Sequence, residues 1–218
     1  MRGALHAAVV HRPARPAGAL VLLHGRGADE RDLQPLVRAL DPDRRLVGVT
    51  VRAPLRLAPG GRHWYVSREV GRPDRATFLE TYGLLCARLD DLPALTGVGL
   101  DATIIGGFSQ GAVMAYAAAL GRGRPSPAGL LAFSGFIPRV EGFELDLSGH
   151  RDVPVAIGHG VYDPVIPVEF GRAAARELRA AGLTVEVRES PMLHTIDDDF
   201  VAHLAEGLRG RRGDRLAA

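Results

Sequence analysis

Three side chains, in the order serine, aspartate, histidine, carry the chemistry this sequence is equipped for. Ser109 sits at the centre of Gly107-Phe108-Ser109-Gln110-Gly111, a G-x-S-x-G pattern. Such a pattern turns a chain from strand to helix so sharply that its middle residue is strained and exposed. A Cβ at either glycine would crowd the turn or the neighbouring strand. The serine then stands at a helix N-terminus, where the dipole and free backbone N–H groups favour developing negative charge. A serine hydroxyl is a weak nucleophile at its free pKa. It needs a base, and the base needs a third group to hold its tautomer. Behind an elbow of this kind the partners follow in the order acid, then histidine. Asp163, in Val161-Tyr162-Asp163-Pro164, lies just past an expected strand, Pro154–Ile157. His194, in Met192-Leu193-His194-Thr195, falls between the last expected strand and the last expected helix. An oxyanion formed at Ser109 needs two backbone N–H donors. One belongs to Gln110, the residue after the nucleophile. The other belongs to Arg26, in the glycine turn His24-Gly25-Arg26-Gly27 after an earlier strand.

Each assignment has a competitor. Five residues are a weak signal alone, because Gly and Ser also make ordinary turns, Asp-Pro is a common turn pair, and glycines often end strands. Asp146 and Asp152 precede the strand that Asp163 follows, so they belong to its opposite end. His203 lies inside a helix, His150 precedes its strand, and His63 lies upstream of Ser109. His159 is adjacent in chain to Asp163 and reads as structural, as does His24, a buttress of its own turn. What favours Ser109 is context. The apolar run Ala102–Ile105 reads as a buried strand, and AVMAYAAAL after the motif is rich in helix formers.

The surrounding elements alternate. Expected strands are Leu5–Val10 at an edge, Ala19–Leu23, Leu46–Val51, Ala102–Ile105, Gly129–Phe133, Pro154–Ile157 and Leu183–Val187. Expected helices are Asp29–Leu40, Ala76–Leu92, the helix after Ser109, Pro167–Ala181 and Asp197–Leu208. ALVLL at Ala19–Leu23 is apolar throughout, as in a sheet buried on both faces. Strands alternating with helices give an α/β architecture, a mostly parallel central sheet with helices on both faces. Chemistry then belongs at the C-terminal ends of the strands. Leu55–Arg75 reads as an irregular loop, with Trp64, Tyr65 and Val66 as its apolar part. Trp64 and Phe136 are the candidate substrate-binding side chains.

Composition narrows the classes. The chain has 218 residues, 46% hydrophobic and 24% charged, which suits a single domain over 1–208 with a substantial core. Residues 209–218 read as a frayed tail. Lys+Arg of 27 against Asp+Glu of 25 leaves a net charge of +2, and no basic run is interleaved with aromatics. A nucleic-acid partner has little support. One cysteine, Cys86, excludes an internal disulfide, and its expected role is filler on a helix. No H-E-x-x-H or comparable metal-ligand cluster occurs. The N-terminal apolar run is too short for a signal peptide and nothing approaches a membrane span, so the expected compartment is the cytoplasm. Oligomeric state is left open.

Six stretches together resemble the phospholipase/carboxylesterase family of small α/β-hydrolases, which includes the acyl-protein thioesterases. They are LVLLHGRGADE, VRAP, GGFSQGAVMAYAAAL, LLAFSGFIP, HGVYDPVIPV and LHTI, in family order from about Leu20 to His194. The resemblance implies the α/β-hydrolase fold and serine esterase chemistry on carboxylic esters or thioesters, without cofactor. It implies Ser109, Asp163 and His194 as triad and Arg26 and Gln110 as oxyanion donors. One position departs from the family pattern: Leu193 stands before the histidine, where glycine is usual. A non-catalytic binding protein on the same fold is the competing class, but such proteins usually lose a triad residue, and all three are present. Ser134–Asp152 is too short for a helical cap domain, so the expected site is open and shallow. That suits small esters of short-to-medium acyl chain.

Overall fold

The computed structural model of the protein describes residues 5–209. The chain begins with β1 (Ala7–His11), β2 (Gly18–Leu23), α1 (Gln34–Leu40) and β3 (Leu46–Val51). Two small hairpins follow, β4 (Leu55–Arg56) with β5 (Arg62–His63), and β6 (Ser67–Glu69) with β7 (Arg72–Pro73). Helices α2 (Arg75–Asp90) and α3 (Leu92–Thr96) lead to β8 (Thr103–Phe108), α4 (Gln110–Leu120) and β9 (Gly129–Phe133). The described chain closes with β10 (Val155–Gly160), α5 (Val168–Ala180), β11 (Val185–Ser190) and α6 (Asp198–Arg209).

Seven strands make one sheet in the order β1-β3-β2-β8-β9-β10-β11. β1 is antiparallel to β3, and every other pairing is parallel. The unbroken apolar run of β2 follows from cover on both sides. Ala19, Val21 and Leu23 join the core shared with α2, α4 and α5, whereas Leu20 and Leu22 join the core beneath α1 and α6. All residues of α4 are buried, which explains why its sequence shows no polar face. After β3 the chain recrosses β2 to enter β8, so strand order reverses between β2 and β8. A crevice opens there at the strands' C-terminal ends, and it receives both the turn after β2 and the elbow after β8.

Several boundaries move. α1 begins at Gln34 rather than Asp29, because the Asp29 carboxylate accepts the Arg31 N–H at 2.8 Å and holds a turn. The apolar stripe is kept, with Leu33 at the N-cap and Val37 and Leu40 buried. The long helix expected over Ala76–Leu92 is two: α2 opens on Asp74, which accepts the Thr77 N–H at 3.0 Å, and ends before Asp91. α3 then restarts with Pro93 in its first turn. Leu55–Arg75 is not irregular, since it holds the two hairpins. Cys86 is only half-buried on α2. Arg209 ends α6 and pairs with Asp43 at 2.9 Å, and the rest of the expected tail lies outside the described residues. Residues 134–152 carry no helix. Among the described residues no helix is long and apolar enough to cross a membrane.

Candidate active site

β8 delivers Ser109 at φ 56° and ψ −121°, a left-handed conformation that costs a non-glycine residue on the order of 1–3 kcal/mol. The surroundings hold it there. The Ser109 N–H donates to the Phe133 carbonyl at 2.9 Å, and its own carbonyl accepts from Ala112 and Val113 in the first turn of α4. The helix can approach β2 this closely because Gly111 has no Cβ, which would run into the Leu23 carbonyl, and one on Gly107 would strike the Gly111 backbone. Ser109 is not openly exposed as its motif suggests. It is 7% exposed, and its accessible surface faces a cavity.

Asp163 and His194 come from the ends of adjacent strands β10 and β11. Their loops are zipped together: Val161 N–H donates to Ser190 O at 2.9 Å and Tyr162 N–H to Met192 O at 3.1 Å. Gly160 permits this, since a Cβ there would overlap the Met192 and Leu193 carbonyls. The result is an imidazole–carboxylate hydrogen bond in which His194 Nδ1–H donates to Asp163 Oδ2 at 2.6 Å. Asp163 Oδ1 accepts from Val165 N–H at 2.8 Å and Ile166 N–H at 2.9 Å. Burial alone would raise the Asp163 pKa. The His194 hydrogen bond and the two amides outweigh it and hold the carboxyl below its ordinary range. His159 braces the same loop. It is 1% exposed, Nε2–H donates to Ile166 O at 2.8 Å, and that nitrogen lies 3.6 Å from Asp163 Oδ2.

The turn after β2 is pinned from two directions. Gly27 N–H donates to Arg62 O and Arg62 N–H to Ala28 O, both at 2.8 Å, which ties the β4–β5 hairpin to it. The His24 ring bridges it to Ala53, with Nδ1–H donating to Gly25 O at 2.7 Å and Nε2 accepting the Ala53 N–H at 3.0 Å. Those two bonds require the neutral Nδ1–H tautomer. Desolvation lowers the His24 pKa in the same sense. The main-chain N–H groups of Arg26 and Gln110 donate to no main-chain acceptor in these turns and loops, as oxyanion donors must.

Trp64 requires a correction. It is fully buried and lines no part of the cavity. Its indole N–H donates to His24 O at 2.7 Å, and its backbone N–H donates to Gln110 Oε1 at 3.1 Å. Gln110 Nε2 in turn donates to Tyr65 O at 3.1 Å. The tryptophan therefore knots the two segments that carry Arg26 and Gln110. Trp64→Phe leaves the His24 carbonyl without its indole donor, and we expect a loss of about 1–3 kcal/mol. A shift of the urea midpoint at unchanged slope measures it; an unshifted midpoint refutes the knot.

The cavity holds about 480 Å³ and brings Ser109, Gln110, Arg26 and His194 to one space. No hydrogen bond joins the Ser109 hydroxyl to His194 across it; such bonds often close only around substrate. Phe136, the second candidate, does line the wall and packs on Phe170. Tyr65 and Ser67 to Val70, all within the loop over 55–75, complete the lining with Val165 and Ile166, which sequence reasoning missed. VIP after Asp163 was the available signal. Leu193 is 62% exposed and is absent from the residues with positive φ, so its backbone does not need glycine. Among the rival groups, Asp146 accepts from Ser148 and Gly149 before β10, and His150 pairs with Ser126 at 2.9 Å. His203 faces Glu186, and His63 donates to Tyr65 O. None of them lines the cavity.

A nearly all-parallel sheet with a strained serine elbow at its strand-order reversal defines an α/β-hydrolase. The chain belongs to the phospholipase/carboxylesterase family, whose sequence profile matches residues 5–210. It is 31% identical over 169 residues to the putative hydrolase MhqD of Bacillus subtilis, covering 77% of this chain and 80% of that one. It is 25% identical over 188 residues to acyl-protein thioesterase 1 of Schizosaccharomyces pombe, covering 82% and 83%. The solved structure of esterase PE8 superposes with a TM-score of 0.80 at 28% identity, over 95% of this chain and 99% of that one. The protein is a hydrolase of the carboxylesterase and thioesterase type.

Proposed function

We propose that the protein is a serine hydrolase for small esters of short-to-medium acyl chain, with thioesters and lysophospholipids as related substrates. The observation that carries this reading is the 2.6 Å bond between His194 and Asp163, held beside a strained serine in one cavity. Ser109 attacks the acyl carbonyl while His194 takes its proton, and Asp163 orients and stabilises the imidazolium. The amides of Arg26 and Gln110 receive the oxyanion. The alcohol leaves with the proton, and water repeats the sequence on the acyl-enzyme. A fluorophosphonate probe tests this: it labels Ser109, and His194→Ala largely prevents labelling. A label found on Ser67 or Ser134 by peptide mapping rejects the assignment.

Chain-length preference follows from the walls. Tyr65, Phe136 and Ile166 give the cavity an apolar lining, and among the described residues no helical cap encloses it. Each buried methylene contributes about 0.8 kcal/mol, or roughly fourfold in kcat/KM. Across p-nitrophenyl esters from acetate to palmitate, kcat/KM rises over the first carbons and then flattens or falls. A steady climb to palmitate in monomeric solution would refute an open site.

A further inference from the structure

A second cavity, of about 370 Å³, shares His194 with the first and is lined by residues of α1 and the start of α6. Leu33, Leu36, Ile196 and Val201 give it an apolar body. Phe108 lines it as well, its ring 4.7 Å from the His194 ring. Two exposed carboxylates, Asp32 and Asp198, also line it, and among the described residues neither is in an ion pair.

The two cavities divide the substrate. Ser109 lines the first and not the second, so an acyl group bonded to its Oγ is confined to the first. In the acylation step the Ser109 Oγ–carbonyl carbon bond forms. The bond from that carbon to the alkoxy oxygen breaks, and its electron pair leaves on the oxygen. The proton passes from Oγ through His194 to the departing oxygen. That oxygen therefore lies at His194, and the rest of the alcohol extends past the imidazole. We propose that the second cavity is the leaving-group subsite, and that it selects alcohols with an apolar body and a positive charge. The inference rests on the acyl-enzyme reading above. Charge on the acyl side points the same way. Arg26 and Arg68 line the first cavity, while Glu69 beside them is paired with Arg72 at 3.3 Å, so a cationic group is disfavoured there. Asp198 also suits the dipole of α6, in whose first turn it lies. That role is indifferent to the charge on a substrate, and the experiment turns on this difference.

Butyrylcholine and 3,3-dimethylbutyl butyrate have nearly the same shape, with carbon replacing the quaternary nitrogen in the second. Each kcat/KM is divided by the rate constant for alkaline hydrolysis of the same ester, which removes the difference in leaving-group reactivity. The expected cationic-to-neutral ratio is about five at low ionic strength, from two solvated carboxylates. It falls towards one in about 0.5 M salt, and also in the double variant Asp32→Asn/Asp198→Asn. A wild-type ratio of one or less, or a ratio that the double variant leaves unchanged, overturns the subsite. Hydrolysis of neither ester, with no fluorophosphonate label on Ser109, overturns the acyl-enzyme reading instead.

Discussion

Ser109→Ala lowers kcat by about 10⁴-fold or more while the protein stays folded, because members of a triad act as a unit. The hydroxyl makes no hydrogen bond among the described residues, and its accessible surface faces a cavity, so its removal leaves no buried partner stranded. The backbone bonds that hold the elbow, from Ser109 N–H to Phe133 O and from Ala112 and Val113 to Ser109 O, do not involve the side chain. Alanine meets the same left-handed strain as serine. Steady-state turnover of a p-nitrophenyl ester beside a thermal melt reads both halves of the expectation. A purified variant that keeps a tenth of wild-type activity would show that Ser109 is not the nucleophile.

Asp163→Asn produces a loss of similar size by a different route, about 10⁴-fold in kcat with little change in fold. The Asp163 side chain is fully buried and its two oxygens have different duties. Oδ1 accepts two backbone N–H groups, from Val165 and Ile166, and Oδ2 accepts His194 Nδ1–H. An asparagine must keep its oxygen towards the two amides, since an NH₂ there would set donors against donors. Its NH₂ then faces His194 Nδ1, which becomes an acceptor. The imidazole proton moves to Nε2, the atom required to take the proton of Ser109. The loop stays tied while the base is held in the wrong tautomer. Nitrogen-15 chemical shifts of His194 report the tautomer directly, beside kcat. A drop of less than about 100-fold, with the Nδ1–H tautomer unchanged, would mean that Asp163 does not orient the base.

The parts of this site that could be read in the sequence are those encoded locally. The elbow announces itself because strand, turn glycines and helix are contiguous over Thr103–Leu120. The order of nucleophile, acid and histidine then singles out two positions, and strand ends explain why Asp146 and His150 fall elsewhere. His159 reads as structural in the sequence, but its bond to Ile166 O shows only in the structure. Features made by distant segments were not legible. Trp64 reads as loop cover, yet its hydrogen-bond partners are His24 and Gln110, 40 and 46 residues away. β4 to β7 are two or three residues each, too short for any period to show. The second cavity needs Leu33, Phe108 and Val201 at once, and no local pattern joins them.

The loop that covers the site is moored unevenly. Residues 62–65 are fastened to the turn after β2 and to Gln110, whereas the β6–β7 hairpin is anchored at its base, by Val66 N–H to Thr77 and Asp74 N–H to Val66. Inheritance can treat these two neighbours differently. A change at Trp64 or Gln110 disturbs the bonds that join the turn after β2 to the elbow, while residues 67–70 of the hairpin line the cavity without making any of those bonds. The hairpin can therefore change in length or polarity at less cost to the cavity floor than the segment over 62–65 can.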